Sequence, residues 1–439
     1  MDKRILMICY YYPPLGDVGT RRSVSFAKYM QRFGWKPHVV SVKNPDKNFC
    51  LVGQESPPPG IPTTYTYSLF NLSALSGKVN GLLSRIANFF GKQLKTNYFY
   101  QIFCVPDIFW GWIPLTVLQC IKIIKKQSLE LIYVTCTPYS SALIGLLLKR
   151  MTRRPLIVDF RDQRGIEEVE LKLNKHYLPS RRRIDKWFIE SVLEGADLFV
   201  VTSQEILQLY KNLFPKYQNK MVTIYNGFDV DYVKPLKSLK KFEKFTIIYT
   251  GNFYFNDISS MSFFEALNYL YTRKIFNEKT FQFLYYGGDY RRIIETSAHY
   301  NVDCMVKAYP IVAYEQALSQ LRCAHLQLIR IVKPMISTKV FEGISLDVPF
   351  LATIPAGEVE NIIQRYSPSS RVITEESGER VAKAILEAQD EYRIGIKPNK
   401  VEEFLDIYSR ENQTLRLMKA IENNVTTPRE NYAPSVKLR

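Results

Sequence analysis

Three stretches of the chain carry side chains whose types and spacing can do chemistry. The first is Tyr11-Tyr12-Pro13-Pro14-Leu15-Gly16-Asp17-Val18-Gly19-Thr20-Arg21-Arg22, between an apolar run and a helical pattern. Gly16 and Gly19 permit a tight loop whose amides, with the positive end of the following helix, suit a phosphate or another anionic leaving group. It has neither the GxGxxG spacing nor a Walker lysine, so an ordinary strand-to-helix turn is the alternative. The second is Asp159-Phe160-Arg161-Asp162, at the end of a buried run. Two carboxylates and a guanidinium at a strand end can orient sugar hydroxyls, or they can close an internal salt bridge that holds a loop. The third is Pro334-Met335-Ile336-Ser337-Thr338-Lys339-Val340-Phe341-Glu342-Gly343. Ser337 or Thr338 can cap a helix, and its first amides favour a phosphate. Lys339 adds a full positive charge there, and Glu342 can accept two hydroxyls of a ribose. A capped helix with its lysine in solvent is the plainer reading.

These groups need elements to position them. Ile5–Cys9 reads as a buried strand, followed by a helix over Arg22–Phe33 that ends at Gly34. Further strands are expected at Pro37–Val42, Leu129–Thr135, Pro155–Asp159, Leu198–Thr202 and Val222–Tyr225. Helices fall between them at Tyr139–Arg150, Asp185–Glu194 and Gln204–Leu213. After a Lys-rich linker, Lys234–Lys244, the pattern restarts with strands at Phe245–Thr250, Phe281–Tyr286, His325–Ile331, Phe350–Ile354 and Arg371–Ile373. Its helices are expected at Met261–Tyr271, Ala313–Arg322, Thr338–Leu346 and Gly378–Tyr392. Such alternation implies doubly wound parallel sheets. The chain therefore divides into α/β units at 1–235 and 236–405, and residues 406–439 are expected to form a helix and tail crossing back to the first unit.

Composition narrows the classes. Of 439 residues, 46% are hydrophobic and 23% charged, a globular balance that argues against disorder. Residues 1–235 carry 32 basic and 18 acidic side chains, against 27 and 24 in residues 236–439. The first unit alone is suited to an anionic partner. Seven scattered cysteines without a CxxC pair and four histidines suggest neither a disulfide framework nor a metal site, and point to a reducing compartment. The N-terminus does not read as a signal peptide, and no apolar run reaches the ~18 residues of a membrane span. Two stretches are amphipathic and edged by basic residues. Gly81–Leu94 reads as a helix with Arg85, Lys92 and Lys95 nearby, and Phe103–Ile124 holds Trp110 and Trp112 and leads into Lys125 and Lys126. Either they lie on an anionic bilayer or they pack on their own domain.

Five motifs occur in a fixed order: Tyr12-Pro13-Pro14-Leu15-Gly16, Asp159-Phe160-Arg161-Asp162, Asn226-Gly227-Phe228-Asp229, Tyr249-Thr250-Gly251-Asn252-Phe253 and Ser337-Thr338-Lys339-Val340-Phe341-Glu342. In that order they resemble the GT-B retaining glycosyltransferases of family four, the group-1/group-4-like enzymes of bacterial surface polysaccharide synthesis, over about residues 4–420. The resemblance implies an α/β GT-B fold, two Rossmann-like domains facing a central cleft. Residues 1–235 would bind the acceptor and 236–405 the nucleotide sugar. The implied activity is a metal-independent, cofactor-free hexosyl transfer from a nucleotide diphosphate sugar, a UDP-sugar foremost, to a glycan or lipid-linked acceptor. The anomeric configuration would be retained. Carried over residue by residue, Glu342 would hold the ribose, and Lys339 with the Ser337 and Thr338 amides the diphosphate. Gly251 and Asn252 would line the cleft near the sugar phosphate, and Ala308-Tyr309 would meet the base through backbone groups. Gly16 and Gly19 would approach the diphosphate from the opposite domain. Asp159, Arg161 and Asp162 would face the transferred sugar or the acceptor and, with Lys339, act in catalysis.

The chain departs from the family in three places. A Glu-x7-Glu element commonly places a sugar-facing glutamate where Pro334 stands. The Arg and Lys that commonly follow the Gly-Asn strand are missing, since Phe253–Asn268 contains neither. A family histidine is replaced at Asp159. These departures leave a non-catalytic scaffold of a polysaccharide complex as the alternative. A nucleic-acid binder lacks any supporting motif. The expected location is cytoplasmic, peripheral on the inner face of a membrane.

Overall fold

The protein is described by a computed structural model covering residues 3–16, 18–45, 56–70, 72–164, 176–253, 255, 259–331, 335–375 and 377–426. Seven strands form the first sheet: β1 (Arg4–Ile8), β2 (Lys36–Val42), β3 (Thr63–Thr66), β4 (Leu131–Cys136), β5 (Leu156–Phe160), β6 (Leu198–Val201) and β7 (Met221–Thr223). Their order is β3-β2-β1-β4-β5-β6-β7, with every pair parallel. The second sheet holds β8 (Phe245–Thr250), β9 (Phe281–Tyr286), β10 (Val306–Tyr309), β11 (Leu326–Arg330), β12 (Phe350–Thr353) and β13 (Arg371–Ile373). It runs β10-β9-β8-β11-β12-β13, again all parallel. The order reverses between β1 and β4 in one sheet and between β8 and β11 in the other. In such sheets the reversal opens a crevice beyond the carboxyl ends of the strands, where ligands bind.

The central strands are continuous apolar runs because helices cover both faces. Among the described residues the longer helices are α1 (Val18–Arg32), α2 (Leu72–Phe89), α3 (Tyr98–Phe103), α4 (Ile113–Gln127), α5 (Ser140–Thr152), α6 (Pro179–Gly195) and α7 (Gln204–Leu213) in the first half. In the second they are α8 (Ser259–Thr272), α9 (Tyr290–His299), α10 (Tyr314–Cys323), α11 (Thr338–Ser345), α12 (Glu358–Tyr366), α13 (Gly378–Ile394), α14 (Val401–Tyr408) and α15 (Arg410–Ile421). Leu417, Met418 and Ile421 of α15 share an apolar cluster with Ile5, Met7, Phe26 and Met30 of the first half.

The elements missing from the sequence reading are mostly edge strands and short helices. β3 and β10 lie at sheet edges, with sequences TTYT and VKAY that offer no continuous apolar run. The stretch 103–124 is not one helix. It divides into the end of α3, a turn of 3-10 helix at Trp110–Trp112, and α4. Trp112 is fully buried and its indole N–H donates to Thr66 Oγ1 at 2.8 Å, so it anchors the core. α4 likewise buries Val117, Cys120, Ile123 and Ile124. The helix expected at 81–94 begins at Leu72 and stops before Gly91, whose φ of +64° does not continue a helix.

The two halves join through paired helix ends. Glu358 Oε1 accepts from Gln204 N–H and Oε2 from Glu205 N–H, both at 3.1 Å, while Glu205 Oε1 accepts from Glu358 N–H at 2.7 Å. Each glutamate thus caps the other's helix, α7 from one domain and α12 from the other, where the helix dipole favours a carboxylate. Tyr225 adds its hydroxyl to Glu358 Oε1 at 2.6 Å. The chain crosses between domains at Asn226-Gly227-Phe228-Asp229. A Cβ on Gly227, where φ is +61°, would stand 2.4 Å from Tyr408 O, so that close crossing requires glycine.

Candidate functional site

The second domain gathers the expected donor residues at the carboxyl end of its sheet. Ser337 caps α11, its hydroxyl accepting from Lys339 N–H at 3.4 Å. Lys339 extends over the Tyr249 ring, 4.3 Å from its centre. A Cβ on Gly251 (φ +100°) would lie 3.1 Å from Lys339 Nζ, so the ammonium sits against the turn that ends β8. The Gly251 N–H donates to Tyr286 O at 2.7 Å, and Tyr249 donates its hydroxyl to Asn252 O at 2.7 Å. The Asn252 side chain is exposed. Gly251, Asn252, Ser337, Thr338 and Lys339 therefore belong to one small region. Burial, opposed by Arg330, raises the Tyr249 pKa to about 12, so this ring stays neutral beneath the ammonium.

Glu342 lies one turn further along α11, 7% exposed. Its Oε1 accepts the Tyr314 hydroxyl at 2.9 Å. Burial, followed by the Glu342 charge, drives the Tyr314 pKa upward, which keeps that hydroxyl a donor. The Arg21 guanidinium, from the first domain, stacks 3.5 Å above the Tyr314 ring. Sequence reasoning missed Tyr314 and Arg21, because their 293-residue separation is closed only by the docking of the domains. Tyr309 ends the edge strand β10. Its carbonyl accepts from Gly287 N–H at 3.0 Å, whereas its ring, 40% exposed, stacks on Tyr286 at 5.1 Å between centres. Such a ring can stack on a planar base.

In the first domain, α1 begins at Val18, so Gly19 stands in its first turn and Gly16 just before it, half-buried. Asp17 lies outside the described residues. Arg161 packs on Gly19 so tightly that a Cβ there would fall 1.5 Å from Nη1. Arg161 Nη2 donates to Thr137 O at 2.5 Å, and the guanidinium lies 5.4 Å from the Tyr11 ring centre. Gly19 and Arg161 are thus brought together beside the β1/β4 reversal. Asp162, next in the chain, is half-buried.

Asp159 is not with them. It is fully buried, accepting from Arg22 Nε at 2.8 Å and Nη2 at 2.9 Å, with the Tyr133 hydroxyl as a third donor. Arg22 also donates to Ile224 O, Tyr225 O and Asn226 Oδ1. Burial works against the Arg22 charge, but the Asp159 carboxylate outweighs it and raises the Arg22 pKa. Position along the chain decides the matter: Asp159 lies inside β5, where Arg22 of α1 holds it, whereas Arg161 follows the end of the strand and packs on Gly19. The expectation that Asp159 faces the sugar is thereby corrected; it clamps α1 to β5 and to the crossing segment. Pro334, where the family glutamate would stand, lies outside the described residues. Among the described residues, no three His, Cys, Asp or Glu side chains gather as metal ligands would.

This architecture has known counterparts. A family model, Glycosyltransferase Family 4, matches residues 87–232, about a third of the chain. No curated protein matches the sequence. Among solved structures, a glycosyltransferase from Rickettsia africae is 15% identical, with a TM-score of 0.62 over 97% of this chain and 99% of its own. A sucrose-phosphate synthase from Thermosynechococcus elongatus is 14% identical, with a TM-score of 0.64 over 95% and 98%. HepE of Anabaena, solved in complex with UDP-glucose, is 13% identical, with a TM-score of 0.62 over 95% and 99%. The fold is GT-B, the two-domain architecture of nucleotide-sugar glycosyltransferases.

Proposed function

We propose that the protein transfers a sugar from a nucleotide diphosphate sugar, a UDP-hexose foremost, to a glycan or lipid-linked acceptor of a cell-surface polysaccharide. The observation that carries this reading is the grouping of the α11 amino terminus, Lys339 and Glu342 at the carboxyl end of the second sheet. The neighbour solved with UDP-glucose supports the same donor class. The anomeric carbon–oxygen bond breaks with its electron pair moving to the diphosphate. The acceptor oxygen bonds that carbon from the same face, and its proton passes to the departing phosphate. Lys339, the α11 amides and the Gly16–Gly19 turn answer the charge that builds on the leaving group, without a metal or cofactor in the scheme. The test is release of UDP from a panel of UDP-hexoses with acceptor present, and the anomer formed. A chain that binds UDP but never releases it from a sugar would be the scaffold instead.

Glu342→Ala is expected to weaken UDP binding by about 1.5–3 kcal/mol, the worth of a hydrogen bond to a charged group. Titration calorimetry with UDP and with inorganic pyrophosphate checks this. UDP affinity should fall while pyrophosphate affinity holds; unchanged UDP affinity would remove Glu342 from the ribose.

A lipid-linked acceptor places the enzyme on the inner face of an anionic membrane, and α2 is the surface suited to it. Leu75, Leu82, Ile86 and Phe89 are exposed, Phe89 at 85%, and Phe90, Phe103 and Trp110 extend the apolar area. Exposed Lys78, Arg85 and Lys92 edge it, and Lys122, Lys125 and Lys126 lie on the outer side of α4. Among the described residues no helix is long and apolar enough to cross a membrane. Each basic side chain at such a surface contributes ~1 kcal/mol, screened within a Debye length. Cosedimentation with acidic vesicles is therefore expected, falling with salt. It should be lost when Arg85, Lys92, Lys95, Lys122, Lys125 and Lys126 become Gln. Equal binding to neutral and acidic vesicles would assign the acceptor to solution.

A further inference from the structure

Among the described residues four arginines are buried: Arg22, Arg164, Arg181 and Arg410. Three of them meet an aspartate. Arg22 pairs with Asp159 at 2.8 Å, and Arg164 and Arg181 both pair with Asp185 at 3.0 Å. Arg410, the first residue of α15 and 4% exposed, has no carboxylate partner. Its Nη1 donates to Ser25 Oγ of α1 at 3.3 Å, and its Nε is buried without a partner. Taking a guanidinium out of water without a counter-charge is costly, so this position is suited to an anion from outside the chain.

Arg410 lines a cavity of about 620 Å³ between α1, residues 56–59 and the crossing segment. Arg21, Lys28 and Arg32 line it as well, against two acidic side chains, Asp229 and Asp231. Both acids are already engaged. Lys28 Nζ donates to Asp231 at 2.6 Å and to Asp229 at 3.3 Å, and the Tyr29 hydroxyl donates to Asp229 at 2.8 Å. Arg32 faces Glu411 at 3.5 Å, and Arg21 lies over the Tyr314 ring. The cavity is therefore positive on balance, and Arg410 is its cation without an acidic partner. Its lining includes none of Gly251, Lys339 and Glu342, so it is distinct from the donor crevice, although Arg21 borders both.

We propose that this cavity binds a phosphate group, free or as the ester of a small metabolite, with Arg410 as its principal cation. A guanidinium can pair with two phosphate oxygens at once, and a dianion matches a cavity that gathers four cations. The cavity is larger than inorganic phosphate, which leaves room for the rest of an ester. Arg410 N–H donates to Phe228 O in the crossing segment at 2.9 Å, and Ser25 belongs to α1. A phosphate held there ties α1, α15 and the crossing segment together, so it acts on the junction of the domains and not on the transferred sugar.

The test titrates inorganic phosphate and glycerol 3-phosphate into the native protein, Arg410→Met, Arg410→Lys and Lys339→Ala by calorimetry at constant ionic strength. Arg410→Met nearly keeps the volume and removes the charge, and should weaken phosphate binding about tenfold or more. Lys339→Ala, altered only in the donor crevice, should stay within about twofold of the native protein. Arg410→Lys keeps the charge but loses the planar fork and should fall between; it carries the test if the methionine variant does not fold. Phosphate should also raise the unfolding temperature of the native protein and not that of Arg410→Met. Tighter binding of glycerol 3-phosphate identifies the ligand as an ester, and tighter binding of inorganic phosphate identifies it as the free ion. Affinity unchanged in the Arg410 variants, or lost in Lys339→Ala alone, overturns the inference. Equal stabilisation of native protein and Arg410→Met by phosphate overturns it too, as does a native protein that binds neither probe.

Discussion

Lys339→Ala is expected to lower kcat by about 10²–10³-fold, the scale on which loss of one preorganised group facing developing charge is felt. The ammonium is held in place before any ligand arrives. It lies over Tyr249, against a glycine turn, in the first turn of a helix capped by Ser337. Little reorganisation is needed as the leaving diphosphate gains charge, so the loss should appear mainly in turnover. KM for the donor should rise less than kcat falls. Lys339→Arg keeps the charge but not the compact shape that fits beside Gly251, and should recover part of the rate. Steady-state kinetics on the donor identified by UDP release decides the matter. Equal losses in ground-state and transition-state binding would mean that Lys339 only anchors the nucleotide.

Asp159→Ala should destabilise the first domain by about 3–5 kcal/mol, the cost of leaving a buried charge without its partner. Arg22 would keep its contacts to the carbonyls of Ile224 and Tyr225, but lose both carboxylate oxygens in a site 3% exposed. Tyr133 would lose its acceptor as well. Arg22→Met combined with Asp159→Leu removes both charges and should unfold at higher denaturant than Asp159→Ala alone. Denaturant unfolding followed by tryptophan fluorescence of the first domain, where all four tryptophans lie, measures this. The alternative role is distinguishable: a carboxylate facing the sugar would leave stability unchanged when removed and abolish turnover.

The βαβ alternation was legible in the sequence because buried parallel strands are continuous apolar runs bounded by turn residues. β8, β9 and α7 stand at the residues expected for them, and β13 spans Arg371–Ile373 as read. The Ser337–Glu342 element was legible too, since cap, lysine and glutamate fall within two turns of one helix and need no tertiary contact to come together. Edge strands β3 and β10 were not, because a strand covered on one side has no need of an apolar run.

Asp159 and Arg161 show where the sequence ends its authority. Both stand in Asp159-Phe160-Arg161-Asp162, and their types alone fit a sugar site or a salt bridge equally well. Tertiary packing gives Asp159, inside β5, to Arg22, 137 residues earlier, and sets Arg161, just past the strand end, against Gly19. The Arg21–Tyr314–Glu342 chain and the reciprocal Glu205 and Glu358 caps likewise join residues from separate elements. The sequence by itself determined the two sheets, the capped α11 terminus with its lysine and glutamate, and the basic character of the first half, all of which follow from local pattern and composition. Tertiary structure alone decided which charged groups face the crevice and which are spent on holding it together, because that choice depends on burial and on partners far away in the chain.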